Sequence, residues 1–460
     1  MLRVNKTFLL AALVLTGCAH DPMAKPKEPA TPVAFSQSGV AADAKWAESF
    51  GDPALLELIA QARQNSPDLV IARARQREAV ALLLAANAGD QPAVSVGAGL
   101  ESSRISLETG RTPVGFGIPR RTDVGAIGVK ASWELDVWGR EAAKTKGADA
   151  DSRAAKFTAE QAELALSAEV ARLWFGVRGT REQLAFLETE FATRFREMEI
   201  IEKTVGAGLL DSDPLSSARL AAAQAKVDEG LGRRRLASAE NALRALIGSA
   251  PGAKLPEAKG AVAMPTFGAG VPSELLLRRP DLAAAAAHLD AAIAREGAAI
   301  ADFYPSVTLN GQAGWQADPA SRVGRGSSSF WTLTPSLDLP VFDAGRREAN
   351  LEVARARIDG SGAEWTKAVL GAFREVEDAL ADLRELAMQE ELTGRVLSAV
   401  RVRLANAEAR RQAGLANENE ITAAHRDEAL AARTLSLVVW ERRQVAVRLA
   451  AATGGGWSAK

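Results

Sequence analysis

The chain switches between two hydrophobic periods, and it does so twice. From Ala93 the apolar positions recur every second residue, with Val94, Val96, Ala98 and Leu100 on one face and Ser95, Gly97, Gly99 and Glu101 on the other. That alternation predicts a strand with two unlike faces. A second run sets Ile127, Val129, Ala131, Trp133, Leu135 and Val137 against Gly128, Lys130, Ser132, Glu134 and Asp136. The device returns as Val307, Leu309, Ala313 and Trp315 against Thr308, Asn310 and Gln312, and again as Trp331, Leu333, Leu337 and Leu339 against Thr332, Thr334 and Asp338. After each strand pair the period lengthens. Leu166, Val170, Leu173, Val177, Leu184, Leu187 and Phe191 form a heptad seam, with Thr180 in the missing slot, and Val369, Phe373, Val376, Leu380 and Leu383 form another. A helix filling most of the span from Gly139 to Gly208 has a length of roughly 90–100 Å.

The two passages are copies. Pro67-Asp68-Leu69 and Pro92 stand at the same separation from Pro280-Asp281-Leu282 and Pro305, and Gly139-Arg140 and Ala207-Gly208-Leu209 at one common separation from Gly345-Arg346 and Ala413-Gly414-Leu415. Such self-similarity predicts a tandem repeat of helix, strand pair, long helix, turn and return helix. Gly208 suits a left-handed helix C-cap, and Asp213-Pro214 suits the cap and first turn of the helix that follows. Each copy is expected to end in a helical hairpin tip. Asp52-Pro53 reads as the N-cap and first turn of an earlier helix.

One such strand alone is the half-buried edge of a soluble sheet. Four strands of about ten residues with tryptophans near their ends carry the signature of a membrane β-barrel. Ser102 to Asp123 and Gln316 to Ser329, rich in Gly, Ser, Arg and Pro, suit its long outer loops. A helix as long as the one after Gly139, fused to a strand whose membrane portion is about 25 Å tall, is expected to bridge a gap away from the bilayer.

The ends change the picture further. Arg3 and Lys6 precede an apolar run from Phe8 to Leu15, too short for a membrane span and suited to a secretory signal over residues 1–17. Cys18 is the only cysteine, so no intrachain disulfide forms. Leu15-Thr16-Gly17-Cys18 resembles a bacterial lipobox, which implies a covalent lipid on Cys18, and Ala19 is similar to the residue found in lipoproteins sent to the outer membrane. Residues 18–45, with four prolines, read as a lipid-anchored extended tether. The repeats then occupy 46–250 and 272–453, an irregular linker 251–271, and a tail 454–460. Net charge is −1, with 56 basic and 57 acidic residues dispersed through the chain, which leaves no footprint for nucleic acid. His20, His288 and His425 are scattered without metal-ligand spacing, and no nucleophile, phosphate-loop or metal motif points to an enzyme or a cofactor.

Taken together, the residues resemble the TolC-like outer-membrane factors of efflux systems, in particular the NodT-type lipoproteins, over nearly the whole mature chain. The resemblance rests on Trp46, Phe50, Asp52-Pro53 and Leu55, on Leu277-Arg278-Arg279-Pro280-Asp281-Leu282, on Ala301-Asp302-Phe303-Tyr304-Pro305-Ser306, on Pro340-Val341-Phe342-Asp343 with Gly345-Arg346, and on Gly454-Gly455-Gly456-Trp457. It implies a mainly α chain with a membrane β-barrel, a homotrimer with twelve strands on an α-helical barrel. It also implies a periplasmic adaptor and an inner-membrane pump of the resistance-nodulation-division class as partners. Closure points the same way: four strands cannot close, eight leave an interior filled by side chains, and twelve leave a channel. The tips would then meet the adaptor through Gly208, Leu209 and Asp211 in one copy and Gly414, Leu415 and Asn417 in the other. The acid usual in the family, two residues after the tip glycine, is Ala416 here, so the candidate gate acids are Asp213, Glu418 and Glu420. The same architecture serves protein secretion or metal export, and a periplasmic coiled-coil scaffold is a further reading that leaves the strands unexplained.

Overall fold

The computed structural model describes residues 20–106, 121–257, 260–416 and 418–457, apart from positions 28, 30 and 38. Among these residues lie eight α-helices and four strands: α1 Pro53–Asn65, α2 Pro67–Asn87, β1 Ala93–Arg104, β2 Arg121–Leu135, α3 Arg140–Gly206, α4 Asp213–Leu246, α5 Pro272–Arg278, α6 Pro280–Ala301, β3 Ser306–Ala317, β4 Ser329–Asp338, α7 Arg346–Gln412 and α8 Glu418–Ala452. The order is the expected tandem repeat, and α3 and α7 each run unbroken for 67 residues. The compact units do not follow the repeats. Of the described residues, one takes in those within 20–27, 76–154 and 285–364, the other those within 29–75, 155–284 and 365–457, so each draws on both copies.

The first unit holds the sheet, four antiparallel strands in the order β1-β2-β3-β4. Its strands run further than the alternation alone suggested. Ser102 to Arg104 and Arg121 to Asp123, expected in a loop, still pair across β1 and β2. Between β3 and β4 the expected loop contains two short 3-10 turns, Ala320–Arg322 and Gly326–Ser328. The entry from strand to long helix is built alike in both copies. Gly139 and Gly345 take φ values of 76° and 85°, a left-handed geometry that glycine adopts without Cβ strain. Just before them, Asp136 accepts hydrogen bonds from the Glu141 and Ala142 N–H groups, and Asp343 accepts from the Arg347 N–H. The Gly-Arg pairs therefore mark a turn whose orphan helix donors are met by an aspartate.

The second unit contains the main hydrophobic cluster. Trp46, Phe50, Leu55, Leu58, Val170, Trp174, Phe175, Leu243, Val447 and Ala450 are buried together in it. Asp52 caps α1 as expected, its Oδ1 accepting from Ala54 N at 3.1 Å and Leu55 N at 3.4 Å. The segments read as tether and linker lie docked on these units. Ser36 N donates to Glu377 at 2.8 Å, and Gly268 N donates to the Val40 carbonyl at 2.8 Å. In the first unit, Met23 N sits 3.0 Å from both oxygens of the buried Glu296. Proline-rich composition indicates an extended backbone; it does not indicate a free one.

Candidate functional site

The sheet has two chemically distinct faces, and strand register keeps them distinct across all four strands. On one face the rows read Val94, Ala131, Gly311, Leu333, then Val96, Val129, Ala313, Trp331, then Trp133, Leu309, Pro335. This face is exposed although apolar, with Val96 at 76% and Trp331 at 75%. On the other face the rows read Ser95, Lys130, Gln312, Thr332 and Ser132, Asn310, Thr334. Ser132 Oγ donates to Asn310 at 2.8 Å, and the Thr308 and Ser336 hydroxyls bond at 2.6 Å. No helix among the described residues is long and apolar enough to cross a membrane. A strand face this apolar, exposed and bounded by tryptophans suits lipid, and the hydroxyl and amide face suits a water-filled lumen.

The polar face carries a row that the alternation did not mark as special: Gly97, Gly128, Gly314, then Phe330. A Cβ on Gly314 would overlap the Ile127 carbonyl and the Gly128 Cα, so the close approach of β2 and β3 depends on glycine. Among the described residues both outer strands, β1 and β4, have one unpaired edge, and β4 contains Pro335, a residue confined to edges and bulges.

Below the sheet, a cavity of about 430 Å³ is lined by Glu134, Trp138, Arg140, Asp302, Tyr304 and Arg347 among others. Trp138 stacks on Tyr304 at 4.9 Å and donates to the Pro305 carbonyl at 2.6 Å. Arg140 pairs with Glu134 at 2.6 Å and Asp302 at 3.4 Å. Burial alone would lower the Arg140 pKa, but these carboxylates and Glu141 outweigh it and raise it, so the guanidinium stays charged. The cluster is a joint that fixes how the strands turn into helices.

The hairpin tips belong to the second unit and share one geometry. At the first, Leu209 N donates to Thr204 O at 3.1 Å and Gly208 N to Val205 O at 2.9 Å; at the second, Leu415 N donates to Arg410 O at 2.8 Å and Gly414 N to Arg411 O at 2.9 Å. This is the Schellman closure, with glycine left-handed at φ 71° and 74°. Leu209 and Leu415 stand out at 77% and 69% exposure. Asp211 is exposed in the first turn. Asp213 is the first residue of α4 rather than its cap; Ser212 holds the cap position without a side-chain bond. Asn417 and Cys18 lie outside the described residues.

The two glutamates are placed differently from the aspartates. Glu418 pairs with Arg411 at 2.6 Å and Glu420 with Arg410 at 3.3 Å, each linking the two arms of the second hairpin. The same arms are joined further along by Arg401–Glu428 at 2.9 Å and by Arg403–Asp427. In the first hairpin the polarity reverses, with Glu202 and Glu188 on α3 paired to Arg219 and Arg233 on α4. Sequence reasoning passed over Arg410 and Arg411, although an arginine pair in the last helical turn before a tip glycine was the available signal.

A family model for outer membrane efflux proteins matches residues 58–249 and 271–455. The cation efflux system protein CusC of Escherichia coli O6:H1 is 31% identical over 463 residues, covering 97% of each chain. The outer membrane protein OprJ of Pseudomonas aeruginosa is 32% identical over 474 residues, covering 98% of this chain and 95% of that one. A solved structure of CusC, described in terms of folding and transmembrane channel formation, superposes with a TM-score of 0.82 at 28% identity, over 95% of this chain and 99% of that one.

Proposed function

The chain belongs to the outer membrane efflux protein family, and from that premise we propose that three copies form the exit duct of a tripartite efflux pump. It is an outer-membrane channel protein of a Gram-negative bacterium and not an enzyme. The observation that carries the proposal is the two-faced sheet with an unpaired edge on each side. Backbone N–H and C=O groups left unpaired in hydrocarbon each cost several kcal/mol, so β4 of one copy pairs with β1 of the next until the barrel closes. Twelve strands leave a lumen, and the hydroxyl and amide face lines it. Such a lining passes solutes of varied chemistry without holding any of them, and the pump selects among them.

The tips form the periplasmic mouth. Gly208, Leu209 and Asp211, with Gly414, Leu415 and Asn417, meet a periplasmic adaptor protein, which couples the duct to an inner-membrane pump of the resistance-nodulation-division class. Asp213, Glu418 and Glu420 are the gate acids, and threefold symmetry gathers three copies of each into rings that favour cations. In the second hairpin the rings are partly neutralised by Arg410 and Arg411. Single-channel recording in planar bilayers tests the assignment: Glu418→Ala with Glu420→Ala raises conductance and shifts selectivity towards anions, because two arginines lose their partners. Unchanged selectivity with a small loss of thermal stability assigns the glutamates to hairpin closure alone.

A further inference from the structure

The apolar, lipid-facing side of the sheet does not end in apolar residues at the end away from the helices. Following the register of β1 and β2 outward, the row of Leu100 and Gly125 is succeeded by Ser102 opposite Asp123, and that row by Arg104 opposite Arg121. Each step of two residues keeps a side chain on the same face. Both arginines therefore stand on the side of Val94, Val96, Ile127 and Val129, towards lipid, whereas Ser103 and Thr122, which bond to each other at 2.7 Å, lie on the lumen side. At about 3.4 Å per residue and a tilt near 40°, the arginine row lies about 10 Å beyond the last apolar row, in reach of the headgroup layer. Trp315 and Trp331 mark the apolar margin on the neighbouring strands.

Two like charges directly opposite each other on adjacent strands repel, so the pair is costly as it stands. Asp123 offsets part of that cost: it accepts from Ser102 Oγ at 2.6 Å and pairs with Arg121 Nε at 3.2 Å. Arg104 meets Arg121 through the strand ladder, and its side chain has no ion-pair or hydrogen-bond partner among the described residues. A cleft of about 430 Å³ opens between Ser102, Ser103, Arg104 and Arg121. The 3-10 turn that carries Arg322 packs against the same face, since a Cβ on Gly125 would meet Ala320 and Val323. Two guanidinium groups with N–H donors to spare match the geometry of a phosphate monoester.

We propose that Arg104 and Arg121 bind a phosphate group of the phosphorylated glycolipid that forms the outer leaflet of the outer membrane. The inference rests on the membrane placement of the sheet and is independent of cargo, pump and adaptor. A bound phosphate neutralises the arginine pair and ties each copy to its surrounding lipid, in addition to any anchor at the chain's start.

Native mass spectrometry of the purified protein, titrated with diphosphorylated lipid A, reads the binding directly. Wild-type protein is expected to bind this lipid at least about tenfold more tightly than the same lipid after phosphatase treatment, a comparison that requires no substitution. Arg104→Ala with Arg121→Ala is expected to lose about tenfold, and Arg104→Lys with Arg121→Lys to lose less, because charge remains while the planar fork goes. Single-channel conductance should be unchanged in both variants, which separates this site from the duct reading. Equal binding of the phosphorylated and dephosphorylated lipids, or of wild type and the alanine variant, overturns the proposal. Inorganic phosphate or phosphatidylglycerol bound as tightly as lipid A also overturns it, by making the cleft a general anion site.

Discussion

At residue 52 a single carboxylate meets four donors. Oδ1 of Asp52 accepts from the Ala54 and Leu55 N–H groups, and Oδ2 accepts from Trp174 Nε1 at 2.8 Å and Arg178 Nη1 at 2.7 Å. Arg178 also donates to the Gly260 carbonyl at 2.8 Å and lies 5.1 Å from the Trp440 ring, so one residue joins α1, α3, α8 and the inter-repeat segment. Replacing Asp52 by Ala leaves the Arg178 guanidinium, whose side chain is only 10% exposed, without its counter-ion, and losing one partner of such a largely desolvated pair costs up to about 3–5 kcal/mol. Guanidinium unfolding of the detergent-solubilised protein should show that loss for Asp52→Ala; a midpoint within error of wild type would refute it. The Asp-Pro helix start was legible in sequence. Its ion-pair partner was not, because no local pattern marks an arginine 126 positions away. The same limit hid the role of Arg279, which is buried and bonds Asp281, Glu375 and the Ala452 carbonyl.

Among the elements, α3 and α4 are tied by Glu240, which lies between Arg181 at 2.7 Å and Arg244 at 3.0 Å. Burial pushes its pKa up, but the two arginines outweigh that and hold it below its ordinary value of 4.5. A depressed folded-state value contributes stability that is complete above the unfolded pKa and is lost as pH falls through the folded one. Urea unfolding at a series of pH values should therefore show wild type more stable than Glu240→Gln at neutral pH, with the gap closing below pH 4.5. A gap that stays constant down to pH 3 or so would assign the effect to shape and not charge. Helix starts, tip glycines and heptad seams were legible because each depends on residues a few positions apart. Trp174 and Phe175, fully buried beside the seam, were not, since their burial is decided by residues distant in sequence, such as Phe50 and Trp440 against Phe175.

For the whole molecule, two open edges per sheet set the assembly. Chemical cross-linking in mild detergent should end at three chains, and a dominant dimer or a stable monomer would refute closure through β1 and β4. The leader makes a second claim at this scale: Cys18 is proposed as the acylated mature N-terminus, on the strength of Leu15-Thr16-Gly17-Cys18. Intact-mass analysis of membrane-extracted protein should show a chain beginning at Cys18 with added acyl mass, and residues retained before Cys18 would exclude it.

By itself the sequence determined the order of elements, the repeat, the two faces of each strand and the glycine that closes each long helix. All of these depend on periodicity or on contacts within a few residues, where the covalent chain already sets the geometry. Tertiary structure alone decided which distant groups meet. It paired Glu418 and Glu420 with Arg411 and Arg410, laid the tether against Glu296 and Glu377, and aligned Gly97, Gly128 and Gly314 in one row. It also set Arg104 opposite Arg121 on the apolar face, because strand register, which alternation leaves free in steps of two, is fixed only when neighbouring strands dock.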